Sequence, residues 1–186
     1  MKETLAILGA LVAIIGNVPY LRDVIRRRVR PHPYTWLVWT LVSAITLIGQ
    51  VVKGAGIGAL PTAMAEIFTV VIFFFSLRYG FRNIVKTDTY FLVAALLGLI
   101  PWIITKDPTI SVIIVVSIDL IAFIPTLRKT WHHPDTETPL LFSMNVVRHG
   151  LTLASLGAYN IATMLHSIVM IVVNTIMTMM IVFKKK

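Results

Sequence analysis

Seven long apolar runs, separated by short polar segments, dominate the chain. They cover residues 4–22, 34–53, 60–79, 89–105, 109–129, 138–157 and 160–183. An α-helix of about 20 apolar residues is long enough to cross roughly 30 Å of hydrocarbon. The pattern therefore predicts an all-α integral membrane protein with seven transmembrane helices. A single bent hairpin over 89–129 is the alternative for the fourth and fifth runs, because Pro101 interrupts the fourth.

Composition supports the same class. Hydrophobic residues make up 57% of the 186 residues and charged residues only 13%, with a mean hydropathy of +0.85. A soluble chain of this size could not bury so much apolar surface. The formal net charge of +9 would suit nucleic acid, but the Lys and Arg residues stand at the ends of the apolar runs. That placement indicates contact with anionic lipid headgroups and argues against nucleic acid as a partner.

The basic residues also orient the chain. Thirteen Lys and Arg residues lie on one side of the predicted helices and three on the other, while Arg148 lies within a run. The positive-inside rule places the N-terminus outside and the C-terminus in the cytoplasm, in the inner or plasma membrane of the cell. The first run lacks a small-residue cleavage pattern and ends in several arginines, so it is predicted to be a retained helix.

A phrase of 17 residues occurs twice. Residues 17–33 read NVPYLRDVIRRRVRPHP and residues 123–139 read FIPTLRKTWHHPDTETP. The identical residues, 106 positions apart, are Pro19 and Pro125, Leu21 and Leu127, Arg22 and Arg128, and Pro33 and Pro139. A duplicated three-helix unit needs one further crossing to return the chain to its starting side. We therefore predict two parallel three-helix bundles, 1–82 and 108–186, joined by a linker helix in 83–107.

In this arrangement and in its two proline-containing phrases, the chain resembles a bacterial-type branch of the SWEET and PQ-loop family of seven-helix transporters. The family's Pro-Gln dipeptide is replaced here by Pro19-Tyr20 and Pro125-Thr126. The resemblance implies alternating access to a small polar solute, a sugar or a similar molecule, bound between the bundles at the midplane. It also implies that Pro19 and Pro125 act as hinges of the cytoplasmic gate and that Asn174 contacts the solute.

Three charged residues, Glu66, Asp119 and Arg148, lie inside the predicted helices. Each costs about 2.5–3.5 kcal/mol at the centre of a membrane helix, so a function is expected for them. At 1.5 Å per residue, they and the amides of Asn145 and Asn174 lie about 10–18 Å from the cytoplasmic helix ends, near the midplane. Asp119 and Arg148 are expected to form a structural ion pair or to couple transport to protons. Glu66 is expected to face Arg148 or to be protonated and carry a proton.

Two tryptophans and two histidines complete the candidate residues. Trp36 is predicted to be an interfacial belt residue. Trp39, which aligns with Asn145 in the repeat, is predicted to contact the solute. The W-x-x-W spacing also resembles the nicotinamide riboside (PnuC) transporters, which share the seven-helix plan. His149 and His166 are expected to be neutral and hydrogen-bonded to a neighbouring helix.

The sequence shows no pattern typical of an enzyme. The loop residues His132, His133, Asp135 and Glu137 match no metal-ligand spacing and are expected to be solvated. Enzyme activity, a metal and a cofactor are therefore not expected. The leading hypothesis is a SWEET-like carrier. The alternatives are a proton-coupled carrier of an amino acid or cation, a nucleoside-type carrier, and a non-transporting membrane scaffold. An oligomer is compatible with each.

Overall fold

The protein is all-helical. The computed structural model describes residues 1–52, 56–104, 108–156 and 161–184, and the ends of the predicted runs at residues 53, 105, 157 and 160 fall outside these ranges. The described residues form seven α-helices, with 3-10 turns at Gly56–Ala59 and Pro134–Thr136. The helices are α1 (Lys2–Ile25), α2 (Pro33–Val52), α3 (Leu60–Tyr79), α4 (Lys86–Ile104), α5 (Pro108–His132), α6 (Pro139–Ser155) and α7 (Ile161–Lys184). The prediction of an all-helical protein with seven helices is confirmed, and each helix overlaps one predicted apolar run.

Prolines mark several helix starts. α2, α5 and α6 begin at Pro33, Pro108 and Pro139, where the fixed φ of proline suits the first turn and its missing N–H removes no helical hydrogen bond. Pro19 and Pro125, by contrast, lie inside α1 and α5. Both helices continue for about two turns beyond the proline, so each proline leaves one carbonyl of its helix without its usual donor.

Part of the fold has the dimensions of membrane helices. Three segments, 2–25, 60–79 and 164–184, are long and apolar enough to cross a membrane by length and composition. The outward face of α1 exposes a continuous set of large apolar side chains, Ile7, Leu8, Leu11, Ile15 and Val18. An apolar face of this size is typical of a surface that contacts lipid. Association with a membrane is therefore supported, while the seven crossings and their direction remain predictions.

Small residues let α1 approach two neighbouring helices closely. Its buried face includes Ala6, Gly9, Ala13 and Gly16. A Cβ added at Gly16 would lie 2.8 Å from the Cβ of Met144 in α6, closer than real Cβ atoms approach. Such small-residue faces are the usual means by which membrane helices pack tightly. They place α1 between α3 and α6.

The helices meet in a definite order. α3 packs against α1 and α2, and α7 packs against α5 and α6. Two further contacts, α1 with α6 and α2 with α5, close a ring of six helices, and α4 packs outside it against α5 and α2. The start of α2 meets the end of α5, where the Thr126 hydroxyl donates to the Thr35 oxygen at 2.9 Å. These two helices therefore run antiparallel.

Three apolar clusters fill the ring, and Trp39 contacts all of them. One cluster is built around Tyr20 and Ile72, a second around Val42 and Ile118, and a third around Phe142 and Met177. The polar side chains of α6 and α7 are grouped apart from this apolar core, and this polar group is the candidate site.

Candidate functional site

One face of α6 carries a row of polar side chains. Asn145, Arg148, His149 and Thr152 are spaced at i, i+3, i+4 and i+7, which places them on one side of the helix. α6 packs on α7, so this face meets Asn174 and Ser167, which lie seven residues apart on α7. Two turns of one helix therefore face two turns of the other.

Hydrogen bonds connect these side chains into a chain. Asn145 Nδ2 donates to Asn174 Oδ1 at 3.4 Å, and Arg148 Nε donates to Asn145 Oδ1 at 3.3 Å. Arg148 Nη2 lies 2.8 Å from His149 Nε2, and His149 Nδ1 lies 3.4 Å from Ser167 Oγ. A guanidinium can only donate, so His149 Nε2 accepts and its proton is on Nδ1. His149 is thus neutral and donates to Ser167, as predicted for a buried histidine.

Asp119 pairs with a histidine and not with the arginine that we expected. His166 Nε2 lies 3.0 Å from Asp119 Oδ2, whereas within the described part of the chain Arg148 forms no ion pair with a carboxylate. The direct Asp119–Arg148 pair is therefore a wrong prediction. The reason is helix order, since α5 packs on α7 and α7 packs on α6. The rings of His149 and His166 lie 5.5 Å apart and bring the two polar groups together.

A small polar cavity lies beside this network. It has a volume of about 60 Å³, enough for a few water molecules. α2, α3, α6 and α7 contribute its lining, and Ala65 is the only residue in it without a polar side chain. The lining residues are Ser43, Thr46, Thr62, Ala65, Arg148, His149, Thr152, His166 and Ser167. Asn145 and Asn174 do not line the cavity but hold Arg148, which does.

Glu66 lies next to the cavity without reaching Arg148. Its side chain is 8% exposed, and its Oε2 has no hydrogen-bond partner among the described residues. Ser43, which lines the cavity, interacts with the Glu66 carboxyl. The expected contact between Glu66 and Arg148 is absent from the ion pairs of the described residues. The alternative, that Glu66 is protonated and carries a proton, remains a prediction.

The two tryptophans belong to the apolar core. Trp36 is only 3% exposed and packs against Tyr20, with ring centroids 5.5 Å apart. The prediction that Trp36 is an interfacial belt residue is therefore wrong, because the ring faces inward from the first turn of α2. Trp39 packs against Trp36 at 5.2 Å and Phe123 at 4.9 Å and is not part of the cavity lining.

The loops 26–32, 80–85 and 133–138 meet at one end of the ring, which we call the basic end. There Arg30 N donates to Thr136 O at 2.9 Å, and Phe81 N donates to Pro31 O at 3.0 Å. Lys129 of α5 donates at 2.7 Å to the Arg30 carbonyl and forms an ion pair with Glu137. These contacts join the repeated phrases to each other across the end of the ring.

Glu137 is buried and not solvated as predicted. It is 1% exposed, and burial raises the pKa of its carboxyl, an effect that the neighbouring Lys129 ammonium opposes. His132, His133 and Asp135 are exposed, as expected for the remainder of that loop cluster. The structure describes no group of three or more His, Asp or Glu side chains that could hold a metal ion. Glu137 differs from its neighbours because the loop folds inward over α5.

A second buried charge group at the basic end was missed by sequence reasoning. Asp88, at the start of α4, accepts from Arg128 at 2.9 and 2.5 Å and lies 3.3 Å from His32. Burial lowers the pKa of His32 to about 4, although Asp88 opposes this shift. Burial acts to raise the pKa of Asp88, but hydrogen bonds from Arg128 and the Val85 amide bring it below the ordinary value. The sequence signal was an acidic residue directly before the predicted run 89–105.

A wide basic pocket opens on the outside of the same end. Its volume is about 710 Å³, and its lining includes four arginines, Arg27, Arg30, Arg78 and Arg82. The guanidinium groups of Arg27 and Arg78 lie 5.3 and 5.5 Å from the centre of the Tyr79 ring. The predicted contact with anionic headgroups falls on this surface and remains a prediction.

Comparison of the chain with models of protein families, with curated proteins and with solved structures finds no match. The resemblance to the SWEET and PQ-loop family therefore rests on the sequence features given above, and function has to be argued from the site itself.

Proposed function

We propose that this protein is a membrane transporter that moves a small polar solute by alternating access. In this proposal all seven helices cross the membrane, α1–α3 and α5–α7 form two parallel bundles, and α4 links them. The order of neighbours supports the repeat, because α3 contacts both other helices of its bundle and α7 does the same. The contacts between the bundles follow the same repeat. Replacing each helix by its counterpart in the other repeat turns the α1–α6 contact into the α5–α2 contact, and both are present.

The observation that carries the proposal is a polar cavity within a ring of apolar helices. A scaffold on the same fold has no need of such a space, and its interior would be filled with apolar side chains and fully paired charges. Here hydroxyls, two histidines and Arg148 line the cavity, and the partners of the Arg148 side chain among the described residues are neutral. Polar and charged groups are retained in membrane helices where they line a solute pathway. This favours the carrier over the scaffold.

The proposed cycle begins with the basic end closed. Lys129, Glu137, His32 and Asp88 hold the loops of both repeats together there. Pro19 and Pro125, inside α1 and α5, would bend these helices so that the loops separate. The excess of basic residues at this end supports a cytoplasmic location for it, with the protein in the inner or plasma membrane of the cell.

A proton-coupled cycle is the second candidate, and the part-buried Asp119–His166 pair supports it. The two groups lie 3.0 Å apart beside the cavity. A change in the protonation of either group would therefore change the charge next to a bound solute and, with it, the affinity for that solute. The nucleoside-type alternative depends on Trp39 as a stacking surface. Trp39 is packed among Trp36 and Phe123, which does not support that alternative.

Transport assays on purified protein in liposomes test the proposal. Labelled sugars, nucleosides and amino acids would be offered with and without a pH gradient. Asn174→Ala removes the amide that holds Asn145 and hence Arg148, and we expect it to lower uptake by about tenfold or more. Asn83→Ala, which truncates an exposed asparagine in the loop before α4, is the matched control and should retain uptake.

Two outcomes would contradict the proposal in different ways. Normal uptake by a folded Asn174→Ala variant would show that the α6–α7 network is not the binding site. No flux of any solute class by folded wild-type protein would favour the scaffold. A rate that rises with the pH gradient would support the proton-coupled candidate.

A further inference from the structure

The cation of Arg148 has no anionic partner in the part of the chain that the structure describes. Its two side-chain contacts are neutral, the Asn145 oxygen at 3.3 Å and the His149 nitrogen at 2.8 Å. Asp119, the partner predicted from the sequence, lies against His166 instead. A guanidinium has five N–H donors arranged as a planar fork, and two contacts leave part of that fork free.

The surroundings of Arg148 are also suited to an anion. Among the described residues no carboxylate lines the cavity, since Glu66 and Asp119 lie behind the lining residues Ser43 and His166. Ser167 Oγ accepts the hydrogen bond from His149 Nδ1, so the Ser167 O–H is free to donate to a bound molecule. Arg148 and Ser167 therefore present donors to one space.

We propose that the transported solute carries a carboxylate group, and that this group binds Arg148 in the cavity between α2, α3, α6 and α7. This inference rests on the proposed function and names its substrate class. A carboxylate matches the guanidinium fork with two parallel hydrogen bonds, the strongest common arrangement for this pair of groups. It also supplies the counter-charge that an arginine inside a membrane protein otherwise lacks.

Charge and size exclude other solute classes from this role. A cationic solute would be repelled by Arg148, and an uncharged sugar would leave the guanidinium without a counter-ion. The cavity of about 60 Å³, which is enough for a few water molecules, has room for the carboxylate group itself. A small organic acid fits these conditions, and an amino acid satisfies them through the same group.

The test uses the full chain in liposomes with three labelled probes of similar polarity: lactate, glycine and glucose. Unlabelled lactate and lactamide serve as competitors, since they differ in charge and hardly in shape. We expect uptake of lactate or glycine, inhibition by lactate, and at least about tenfold weaker inhibition by lactamide. This comparison needs no variant, so it remains informative if a substitution prevents folding.

Two variants connect the result to Arg148. Arg148→Gln should lower uptake of the carboxylate probe by about tenfold or more, because the charge-assisted hydrogen bonds are lost. Arg148→Lys should retain part of the uptake, since it keeps the charge but not the fork. Arg22→Gln is the matched control, because Arg22 is an exposed arginine that pairs only with the neighbouring Asp23.

The outcomes separate this inference from the proposed function. Lactate uptake that depends on Arg148 assigns the carboxylate to an organic acid, and uptake of glycine alone assigns it to an amino acid. Glucose uptake that survives Arg148→Gln would overturn the inference and leave the transporter proposal standing. Equal inhibition by lactate and lactamide would also overturn it. No uptake of any probe by folded protein would overturn both.

Discussion

Two groups of buried charge in this protein are built in different ways. At the basic end, Lys129 pairs with Glu137 and Arg128 pairs with Asp88, so each of these two cations meets a buried carboxylate. Beside the cavity, Arg148 contacts the neutral Asn145 and His149 and, among the described residues, no carboxylate. The charges that hold the loops together are thus neutralised within the protein, whereas Arg148 lacks a counter-charge in the described structure, which is the arrangement expected if it binds an anion.

The same difference sets the energetic cost of a substitution. Removing one partner of a buried ion pair leaves the other charge desolvated without compensation, which costs about 3–5 kcal/mol. Removing a charge that has no counter-ion also removes its own desolvation penalty, so less stability is lost. Substitutions at the basic end should therefore mainly lower the stability of the protein, and substitutions beside the cavity should mainly lower transport.

Glu137→Gln should have the largest effect on stability. It leaves the buried Lys129 ammonium without a carboxylate, and we expect the free energy of unfolding to fall by about 3–5 kcal/mol. Denaturant titration in detergent micelles would measure this loss. Asp135→Asn, an exposed carboxylate in the same loop, is the control and should change stability by less than about 0.5 kcal/mol.

Combining Glu137→Gln with Lys129→Met sharpens this test. The double variant removes both charges, so it should recover much of the stability that the single variant loses. Equal losses in Glu137→Gln and Asp135→Asn would show that the pair is not a stabilising feature of the basic end.

Acidification should have an intermediate effect, through His32. Its pKa is about 4 in the folded protein against an ordinary value of 6.5, so the unfolded chain binds more protons between these values. The stability that His32 contributes is complete above pH 6.5 and is lost as the pH falls toward 4, with an upper limit on the order of 3 kcal/mol. Burial is the main cause of the lowered pKa of His32. Asp88 opposes this shift, and the positive charges of Lys129 and Arg128 add to it.

Thermal unfolding measured from pH 7 to pH 4 would check this dependence. His32→Gln should flatten the profile, while His132→Gln, which changes an exposed histidine at the end of α5, should leave it as in the wild type. Stability that does not decline over this range in the wild-type protein would contradict the expected burial of a neutral His32.

Arg148→Gln should have the smallest effect on stability. The lost hydrogen bonds to Asn145 and His149 are offset by the desolvation penalty that disappears with the charge, so we expect a change below about 1.5 kcal/mol. Denaturant titration of this variant beside Glu137→Gln compares the two charge groups directly. A loss as large as that of Glu137→Gln would mean that Arg148 has a buried structural role like that of Lys129.

Helix positions could be predicted from the sequence, whereas several side-chain partners could not. Apolar runs are local signals, so α2 and α6 begin within one residue of the predicted runs 34–53 and 138–157. The contact of Asn145 with Asn174 agrees with the expectation that these amides lie at one site. The expected partner of Asp119 was wrong, because helix adjacency is not a local property of the chain.

The other differences between the predictions and the structure concern which residues are buried. Trp36 has the position of a belt residue in the sequence, and Glu137 lies in a polar loop, yet both are buried. Whether such a residue faces lipid, water or the interior depends on which helix or loop packs over it, and that is a long-range contact.

The sequence by itself determined the all-helical class, the seven helices and their approximate ends, since hydrophobic run length and proline act over a few neighbouring residues. It also identified Arg148, Asn145 and Asn174 as polar residues in apolar surroundings. Only the tertiary structure decided which charges are paired. Helix packing placed Asp119 beside His166 and Lys129 beside Glu137, and it left Arg148 with neutral partners at the edge of a polar cavity.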